Sequence, residues 1–166
     1  MKKDQKGFSL IELLVVVVII GIVSAIGVPN LLASRRAANE ASAISTVRSL
    51  NTAQQTYYAT KGSFADYATL FQLNSSLIID QSLASATTPS GAKSGYYYTM
   101  SLIAASESTA AKYVISANPA IASSTTPAAT GTRRFCAHGD GVVRFDKQTA
   151  VIVTTDDDCA TLTPLN

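Results

Sequence analysis

The longest apolar stretch of the chain lies near its N-terminus. Residues 8–28 (FSLIELLVVVVIIGIVSAIGV) contain a single charged side chain, that of Glu12. A helix of this length spans about 31 Å at 1.5 Å per residue, close to the thickness of the hydrocarbon core of a bilayer. The pattern therefore predicts a membrane-spanning helix that begins at Phe8.

A second, periodic pattern predicts that the same helix continues over residues 29–62 as an amphipathic segment. Apolar side chains recur three or four positions apart, at Ile44, Val47, Leu50, Ala53 and Tyr57. Polar positions around this stripe are supplied by Arg35, Arg36, Glu40, Arg48, Asn51 and Gln54. Because proline cannot donate a main-chain hydrogen bond, Pro29 predicts a kink or local break near residues 25–26. Gly62 predicts the end of the helix after Lys61.

The remaining residues, 63–166, predict a small head with an antiparallel sheet. Two β-rich runs, 96–100 and 112–116, are followed by the clearest hairpin signal, in which residues 133–138 and 142–146 flank a Gly-Asp-Gly turn. Residues 150–154 predict a last strand or extended segment. We therefore expect an α+β fold, in which the C-terminal half of a long helix packs on three to five antiparallel strands.

The segments between these strands give weaker signals. Residues 82–94 and 117–132 are rich in Ala, Ser and Thr with interspersed Pro and Gly, which is typical of loops. Residues 66–73 predict a short helix or turn. Aromatic side chains that gather near the end of the long helix are interpreted as packing between helix and sheet, namely Tyr57, Tyr58, Phe64 and Tyr67.

The chain has two cysteines, Cys136 and Cys159, both near its C-terminus. An export segment at the front favours a disulfide between them, because exported compartments are oxidising. Such a bond would close a loop of 22 residues, a size for which a cross-link typically contributes about 3 kcal/mol. Two free buried thiols are the alternative.

Charge and composition argue against several classes of function. Without residues 1–7, ten basic side chains face ten acidic ones, so nucleic acid is not expected as the main ligand. The chain contains neither a GxSxG motif nor a Ser/His/Asp arrangement, so we expect no enzyme activity and no cofactor. His138 is interpreted as a solvated loop residue. No metal site is predicted, although calcium binding at residues 156–158 is an alternative.

The residues Gly7-Phe8-Ser9-Leu10-Ile11-Glu12-Leu13-Leu14 resemble the prepilin cleavage and methylation signature of type IV pilins. A short basic leader, MKKDQKG, ends in Gly7, an aromatic residue follows, and Glu12 is the fifth residue after the junction. The resemblance implies that a prepilin peptidase cleaves after Gly7 and methylates the new α-amino group of Phe8. An uncleaved membrane anchor and ordinary secretory cleavage near residues 23–25 are the alternatives.

Glu12 is a candidate functional residue on physical grounds as well. A carboxylate at the centre of a bilayer costs about 2.5–3.5 kcal/mol, so it needs a partner. The resemblance implies that this partner is the α-amino group of Phe8, on the same chain or a neighbouring one, and the ion pair would fix axial register. A carboxyl that stays protonated or lies at the interface is the alternative.

The same resemblance assigns the apolar helix, residues 8–28, to assembly. Small residues such as Gly21 allow close approach of identical helices, and the stretch from Gly21 to Pro29 is implied to lose helicity on assembly. The expected function is that of a structural pilus subunit. It would wait in the bacterial inner membrane with a cytoplasmic N-terminus, surrounded by lipid, and then polymerise with identical subunits through the inner-membrane assembly machinery into an extracellular filament.

Two other functions remain open at this point. A pseudopilin of a type II secretion system shares the N-terminal signature but builds a short periplasmic fibre. A membrane-anchored binding domain that never polymerises is the alternative from another class.

Overall fold

The computed structural model describes residues 7–65, 79–105, 110–122, 128–147 and 155–165. The chain divides into two compact units, Met1–Ser34 and Arg35–Asn166. The described part of the first unit is almost entirely helical, whereas the second combines helix with an antiparallel sheet. The predicted α+β class is therefore confirmed.

Helix α1 covers Leu10–Lys61 and is 52 residues long. It begins two residues later than the predicted start at Phe8. Its end is the predicted one, because Gly62 follows with a φ of 72°. This is the left-handed conformation that glycine adopts without strain, and the Gly62 N–H donates to the carbonyl of Tyr58 at 2.8 Å.

The helix runs without interruption through Pro29. The predicted local break near residues 25–26 is therefore wrong, whereas the alternative of a kink stays a prediction. Proline removes only the one main-chain hydrogen bond that its own N–H would make, and the rest of the ladder can persist around it. The next residue, Asn30, adds a side-chain bond, since its Nδ2 donates to the carbonyl of Ile26 at 3.1 Å.

The second half of α1 packs one face against the sheet, as its periodicity predicts. The buried positions of the helix are Glu40, Ala43, Val47, Leu50, Ala53, Gln54 and Tyr57. Ile44, which was expected in the stripe, is only partly buried at the edge of the core. Glu40 and Gln54 were expected among the surrounding polar positions, and their burial is a correction.

Five antiparallel strands form the sheet in the order β1-β2-β3-β4-β5. They are β1 Tyr96–Ile103, β2 Lys112–Pro119, β3 Arg134–His138, β4 Arg144–Asp146 and β5 Thr163–Pro164. In the register, Met100 lies opposite Ile115, and Ser116 lies opposite Cys136. Large side chains of the first three strands fill the core against α1, and the largest of them are Tyr96, Tyr98, Tyr113, Phe135, Met100 and Ile115.

Several elements differ from the sequence-based expectation. The predicted loop 82–94 contains most of a short helix, α2 Gln81–Ala84, and a 3-10 turn at Pro89–Gly91. Strand β2 extends through Pro119 into the second predicted loop. A third helix, α3 Asp156–Ala160, was not predicted, and neither was β5. The predictions for residues 66–73, for Tyr67 and for the strand at 150–154 lie outside the described residues.

Local capping explains why these short helices form. The Asp80 side chain accepts from the N–H of Leu83 at 2.7 Å and so caps α2. The Thr155 hydroxyl accepts from the N–H of Asp158 at 3.1 Å and caps α3 in the same way. Hydrogen bonds from Ser82 and Leu83 and the ion pair with Lys93 lower the pKa of Asp80 to about 2.

Aromatic packing at the end of α1 agrees with the interpretation made from the sequence. Tyr58 stacks on Phe64 with 4.6 Å between ring centroids. Phe64 in turn lies 4.7 Å from Tyr113 of β2. These rings connect the last turns of the helix to the sheet.

The predicted disulfide between Cys136 and Cys159 is present. Both residues are fully buried, and they form a small second cluster with Val114 on β2. Partly buried Ile103 and Leu162 pack against it. The bond joins α3 to strand β3, so it holds the C-terminal segment on the sheet.

Two buried polar side chains of α1 hydrogen-bond to residues outside the helix. Glu40 Oε1 accepts from the backbone N–H of Thr132 at 2.9 Å and from its hydroxyl at 2.8 Å. Glu40 Oε2 accepts from the Nε of Arg133 at 2.7 Å and forms an ion pair with the same guanidinium. Gln54 exchanges two hydrogen bonds with the main chain of Ala65, at 3.0 and 3.1 Å.

The surroundings of Glu40 perturb its ionisation. Burial by itself raises the pKa of this carboxyl, but the hydrogen bonds from Thr132 and Arg133 and the positive charge of Arg133 outweigh that effect. The pKa therefore lies below the ordinary glutamate value. The carboxylate form is the one that the folded unit stabilises.

The β3–β4 hairpin confirms the strongest turn signal of the sequence. Gly141 has a φ of 76°, which is the conformation that favours glycine. His138 is the last residue of β3, and its side chain is only 15% exposed, with Nε2 3.3 Å from Asp140 Oδ2. The interpretation of His138 as a solvated loop residue is therefore wrong, because the residue belongs to the strand and its ring lies against the Asp140 carboxylate of the turn.

Candidate functional site

The residues at the predicted cleavage junction lie just before α1. Gly7, Phe8 and Ser9 have no regular secondary structure, and the side chain of Phe8 is 78% exposed. The peptide bond between Gly7 and Phe8 is therefore outside the hydrogen-bonded helix. A Cβ atom at Gly7 would meet nothing within 4 Å, so no contact within the described chain requires glycine there.

Glu12 caps the helix on which it lies. Its Oε2 accepts a hydrogen bond from the backbone N–H of Ser9 at 3.0 Å. Ser9 is the residue immediately before the helix, and its carbonyl accepts from the N–H of Leu13. This is one half of a capping box, in which an acidic side chain at the third helical position reaches back to the capping residue. The pattern Ser-x-x-Glu at residues 9–12 could have revealed this contact from the sequence.

A negative charge in the first helical turn also interacts favourably with the helix dipole. The hydrogen bond from Ser9 engages Oε2, and among the described residues Oε1 accepts no hydrogen bond. One carboxylate oxygen of Glu12 is therefore not used in capping the helix. Phe8, Ile11, Val15 and Val16 surround it with a shallow apolar depression.

The apolar span that follows Glu12 is exposed on all sides of the helix. Its large side chains are 46–81% exposed. They are Leu10, Ile11, Leu13, Leu14, Val15, Val16, Val17, Val18, Ile19, Ile20, Ile22, Val23, Ile26, Val28 and Leu31. Within the described residues, one helix is long and apolar enough to cross a membrane, namely α1, with a window of mean hydropathy 2.9.

The small residues of the span fill no tight space within the chain. Cβ atoms added at Gly21 or Gly27 would meet nothing within 4 Å. These glycines therefore leave shallow points on the helix surface. Shallow points of this kind allow another helix to approach closely.

Comparison with protein families matches residues 2–28 to the prokaryotic N-terminal methylation motif. The chain has a prepilin-type N-terminus. The matched segment includes Gly7, Phe8, Glu12 and Gly21 and ends just before Pro29. The roles assigned to these individual residues remain predictions.

Three curated relatives are similar to part of the chain. The chain is 38% identical over 64 residues to the type IV major pilin protein PilA of Myxococcus xanthus. The aligned residues make up 39% of this chain and 29% of that relative. The chain is 55% identical over 38 residues to the type IV wide pilus major component PilA4 of Thermus thermophilus, covering 23% of this chain and 29% of the relative. It is 39% identical over 56 residues to the type II secretion system core protein G of Aeromonas hydrophila, and the aligned residues make up 34% of this chain and 39% of the relative.

The chain thus spans about a third of the length of these curated relatives. No solved structure matches it. Both pilus components and secretion-system components are therefore among the proteins that part of this chain resembles.

The calcium alternative stays a prediction. Asp157 and Asp158 are exposed on α3, whereas the side chain of Asp156 lies outside the described residues. Within the described part of the chain, no three side chains of His, Cys, Asp or Glu come together in a group that could hold a metal ion.

Proposed function

We propose that this chain is a structural subunit of a type IV pilus. The observation that carries the proposal is the combination of a prepilin-type motif with a helix whose apolar side chains are exposed from Leu10 to Leu31. A continuous apolar surface of this size is stable only against lipid or against other apolar surfaces. In such a subunit this surface would contact lipid before assembly and identical helices in the filament.

Processing by a prepilin peptidase would precede assembly. The Gly7–Phe8 bond lies outside α1, which suits cleavage because a peptidase binds its substrate in an extended form. Cleavage after Gly7 would remove the leader and create a new α-amino group on Phe8, which the peptidase would methylate. The helix itself would not need to unwind for this reaction.

Glu12 would connect processing to assembly. Its Oε2 accepts a hydrogen bond from its own chain, while Oε1 accepts none from the described residues. The new α-amino group, on the same chain or a neighbour, is a cation of the right charge to pair with that oxygen. An ion pair between apolar helices favours one axial register over others, because every other register leaves a buried charge unpaired.

These properties suggest the order in which the subunit would be inserted into the membrane, exported and assembled. The precursor would lie in the bacterial inner membrane with its N-terminus in the cytoplasm, and the unit Arg35–Asn166 would be exported. The disulfide between Cys136 and Cys159 suits an oxidising compartment. Extraction from the lipid by the pilus assembly machinery would then add the subunit to an extracellular filament. A structural role of this kind needs no catalytic residues.

A pseudopilin of a type II secretion system is the second candidate, because core protein G of such systems is among the relatives. A pseudopilin would use the same N-terminal segment, but its fibre would stay in the periplasm. The two functions therefore differ in where the polymer is found.

Electron microscopy of material sheared from cells tests the proposal. We expect filaments in the wild type that an antibody against residues of the described head decorates along their whole length. A strain that lacks the chain is the control, and it should lose these filaments. Membrane-embedded chain with no surface filament, together with loss of protein secretion in the deletion strain, would instead establish the pseudopilin.

A further inference from the structure

Residues 128–133, which directly precede strand β3, lie against the first buried turn of helix α1. We call this segment the helix strap. The Nδ2 of Asn39 donates to the carbonyl of Thr130 at 2.9 Å. Glu40, the first buried residue of the helix, accepts hydrogen bonds from Thr132 and Arg133. The helix strap thus meets α1 where the burial of the helix begins.

Polar groups make these contacts between the helix strap and α1. The strap contributes one buried apolar side chain, that of Ala129. The neighbouring strands, by contrast, bury large side chains such as Tyr96 and Phe135. Segments that bury little apolar surface open at a lower free energy than the core around them. The Glu40 carboxylate accepts three hydrogen bonds from the strap, whereas Asn39 makes one, so Glu40 is the larger polar attachment of the strap to α1.

The helix strap nevertheless fits its seat closely. A Cβ atom at Gly131 would overlap the ring of Tyr96, so no larger residue fits there without movement. The Tyr96 hydroxyl donates to the carbonyl of Arg133 at 2.6 Å. A Cβ atom at Gly95 would lie 2.7 Å from the Cβ of Thr130. The close contacts at Gly131 and Gly95 allow the closed strap only one position, and the polar contacts to Glu40 hold it there.

We propose that the helix strap opens and closes as a unit while the sheet stays folded, and that Glu40 is the group that holds it closed on α1. When the strap opens, the contacts at Asn39 and Glu40 are lost together. The first buried apolar residue of the helix is then Ala43, one turn further along. The strap would therefore determine how much of α1 the head holds.

Amide hydrogen exchange on the full chain in detergent micelles tests this proposal, with Glu40→Gln as the first variant. Glutamine keeps the shape of the side chain but removes the charge that strengthens the bonds to Thr132 and Arg133. The decisive amide is that of Thr130, which donates to Ile121 and does not touch Glu40. We expect Thr130 and Thr132 to exchange about tenfold faster, while Ile115 in β2 changes less than about twofold.

Gly131→Ala is the second variant, and it acts without altering any charge. The added methyl group would overlap the buried Tyr96 ring, so the strap can close only if the ring or the strap itself shifts. We expect the same acceleration at Thr130 and Thr132 with Glu40 intact. Asp140→Asn is the matched control, because it removes a different ion pair, with Arg144 at 2.6 Å, at the β3–β4 turn. It should leave exchange in the strap unchanged.

Three results would overturn the proposal. If Glu40→Gln accelerates Thr132 but not Thr130, the variant has removed one hydrogen bond and the strap is not a unit. If Ile115 accelerates as much as Thr130, the strap opens only together with the sheet. If Asp140→Asn has the effect of Glu40→Gln, the strap responds to any lost charge and Glu40 has no special part.

Discussion

Glu12 and Glu40 are both carboxylates of helix α1, and they illustrate two uses of a charge in an apolar setting. Glu12 lies in an exposed apolar segment and caps its own helix through Ser9. Glu40 is 6% exposed and is satisfied by Thr132 and Arg133. The first has an oxygen without a described partner, whereas the second has both oxygens engaged. We therefore expect Glu12 to act between chains and Glu40 within one.

Substitution of Glu12 separates its charge from its capping bond. In Glu12→Gln the amide oxygen can still accept from Ser9, but no ion pair with an amine is possible. In Glu12→Ala both contacts are lost. If the charge fixes register, both variants stay in the membrane and both reduce filament yield at least about tenfold. Immunoblots of membrane and sheared fractions measure this.

Normal filament yield from Glu12→Ala would remove the register argument. Normal yield from Glu12→Gln, with a defect in Glu12→Ala alone, would assign the residue to capping of the helix. Glu12→Asp, which keeps the charge on a shorter side chain, serves as a further comparison.

Glu40 should make the stability of the head depend on pH. Its pKa is lower in the folded chain than in the unfolded one. Its contribution is therefore complete above the ordinary glutamate pKa and is lost as the pH falls through the folded value. At neutral pH we expect Glu40→Gln to lower the free energy of unfolding by about 1–3 kcal/mol. In acid the wild type and the variant should converge.

Thermal unfolding of both proteins, followed by the near-ultraviolet circular dichroism of the tyrosines, measures this difference as the pH falls from neutral into the acid range. A gap between the two melting temperatures that stays constant over this range would show that Glu40 stabilises the head by shape alone. Asp140→Asn provides a surface ion pair for comparison, and its effect should be smaller.

The burial of Glu40 could not be predicted from the sequence. The periodic stripe located the buried face of the helix at Val47 and Leu50, and Glu40 was expected at its polar border. Its partners lie more than 90 positions away, and nothing in the local pattern pairs them. The bond between Ser9 and Glu12, by contrast, spans three residues and follows from a known local motif.

At the scale of elements, local sequence signals predicted the end of an element correctly where a glycine with positive φ lies at that end. Gly62 and Gly141 both have positive φ, and both marked their helix end and hairpin correctly. Strand β5 has only two residues and depends on pairing with β4, so it could not be predicted from the local sequence pattern. Helix α3 carries a Thr-x-x-Asp cap that a closer search of the sequence would have found.

The disulfide is the element-scale feature with the clearest energetic consequence. It ties α3 to β3 across a loop of 22 residues. We expect the double variant Cys136→Ala/Cys159→Ala to lower the free energy of unfolding by about 2–5 kcal/mol. Differential scanning calorimetry of the full chain measures the change.

A reducing agent provides the control for this prediction. It should lower the melting temperature of the wild type to near that of the double variant and leave the variant unaffected. An unchanged melting temperature in the double variant would show that Val114 and the surrounding core hold the C-terminal segment without the bond.

At the scale of the whole molecule, the two compact units differ in where their apolar side chains lie. The core of buried apolar side chains belongs to the unit Arg35–Asn166, whereas the described apolar span of Met1–Ser34 is exposed. We therefore expect a truncated chain that starts at Arg35 to be soluble, folded and monomeric. Size-exclusion chromatography with light scattering and circular dichroism would measure this. Aggregation of the truncated chain, or loss of its sheet signal, would contradict the division.

The intact mass of the protein in sheared surface filaments tests the central claim most directly. Polymerisation through a processed prepilin-type helix predicts that the main filament protein is this chain, without residues 1–7 and with one additional methyl group. Filaments that lack the chain, or a chain that retains MKKDQKG, would contradict the account.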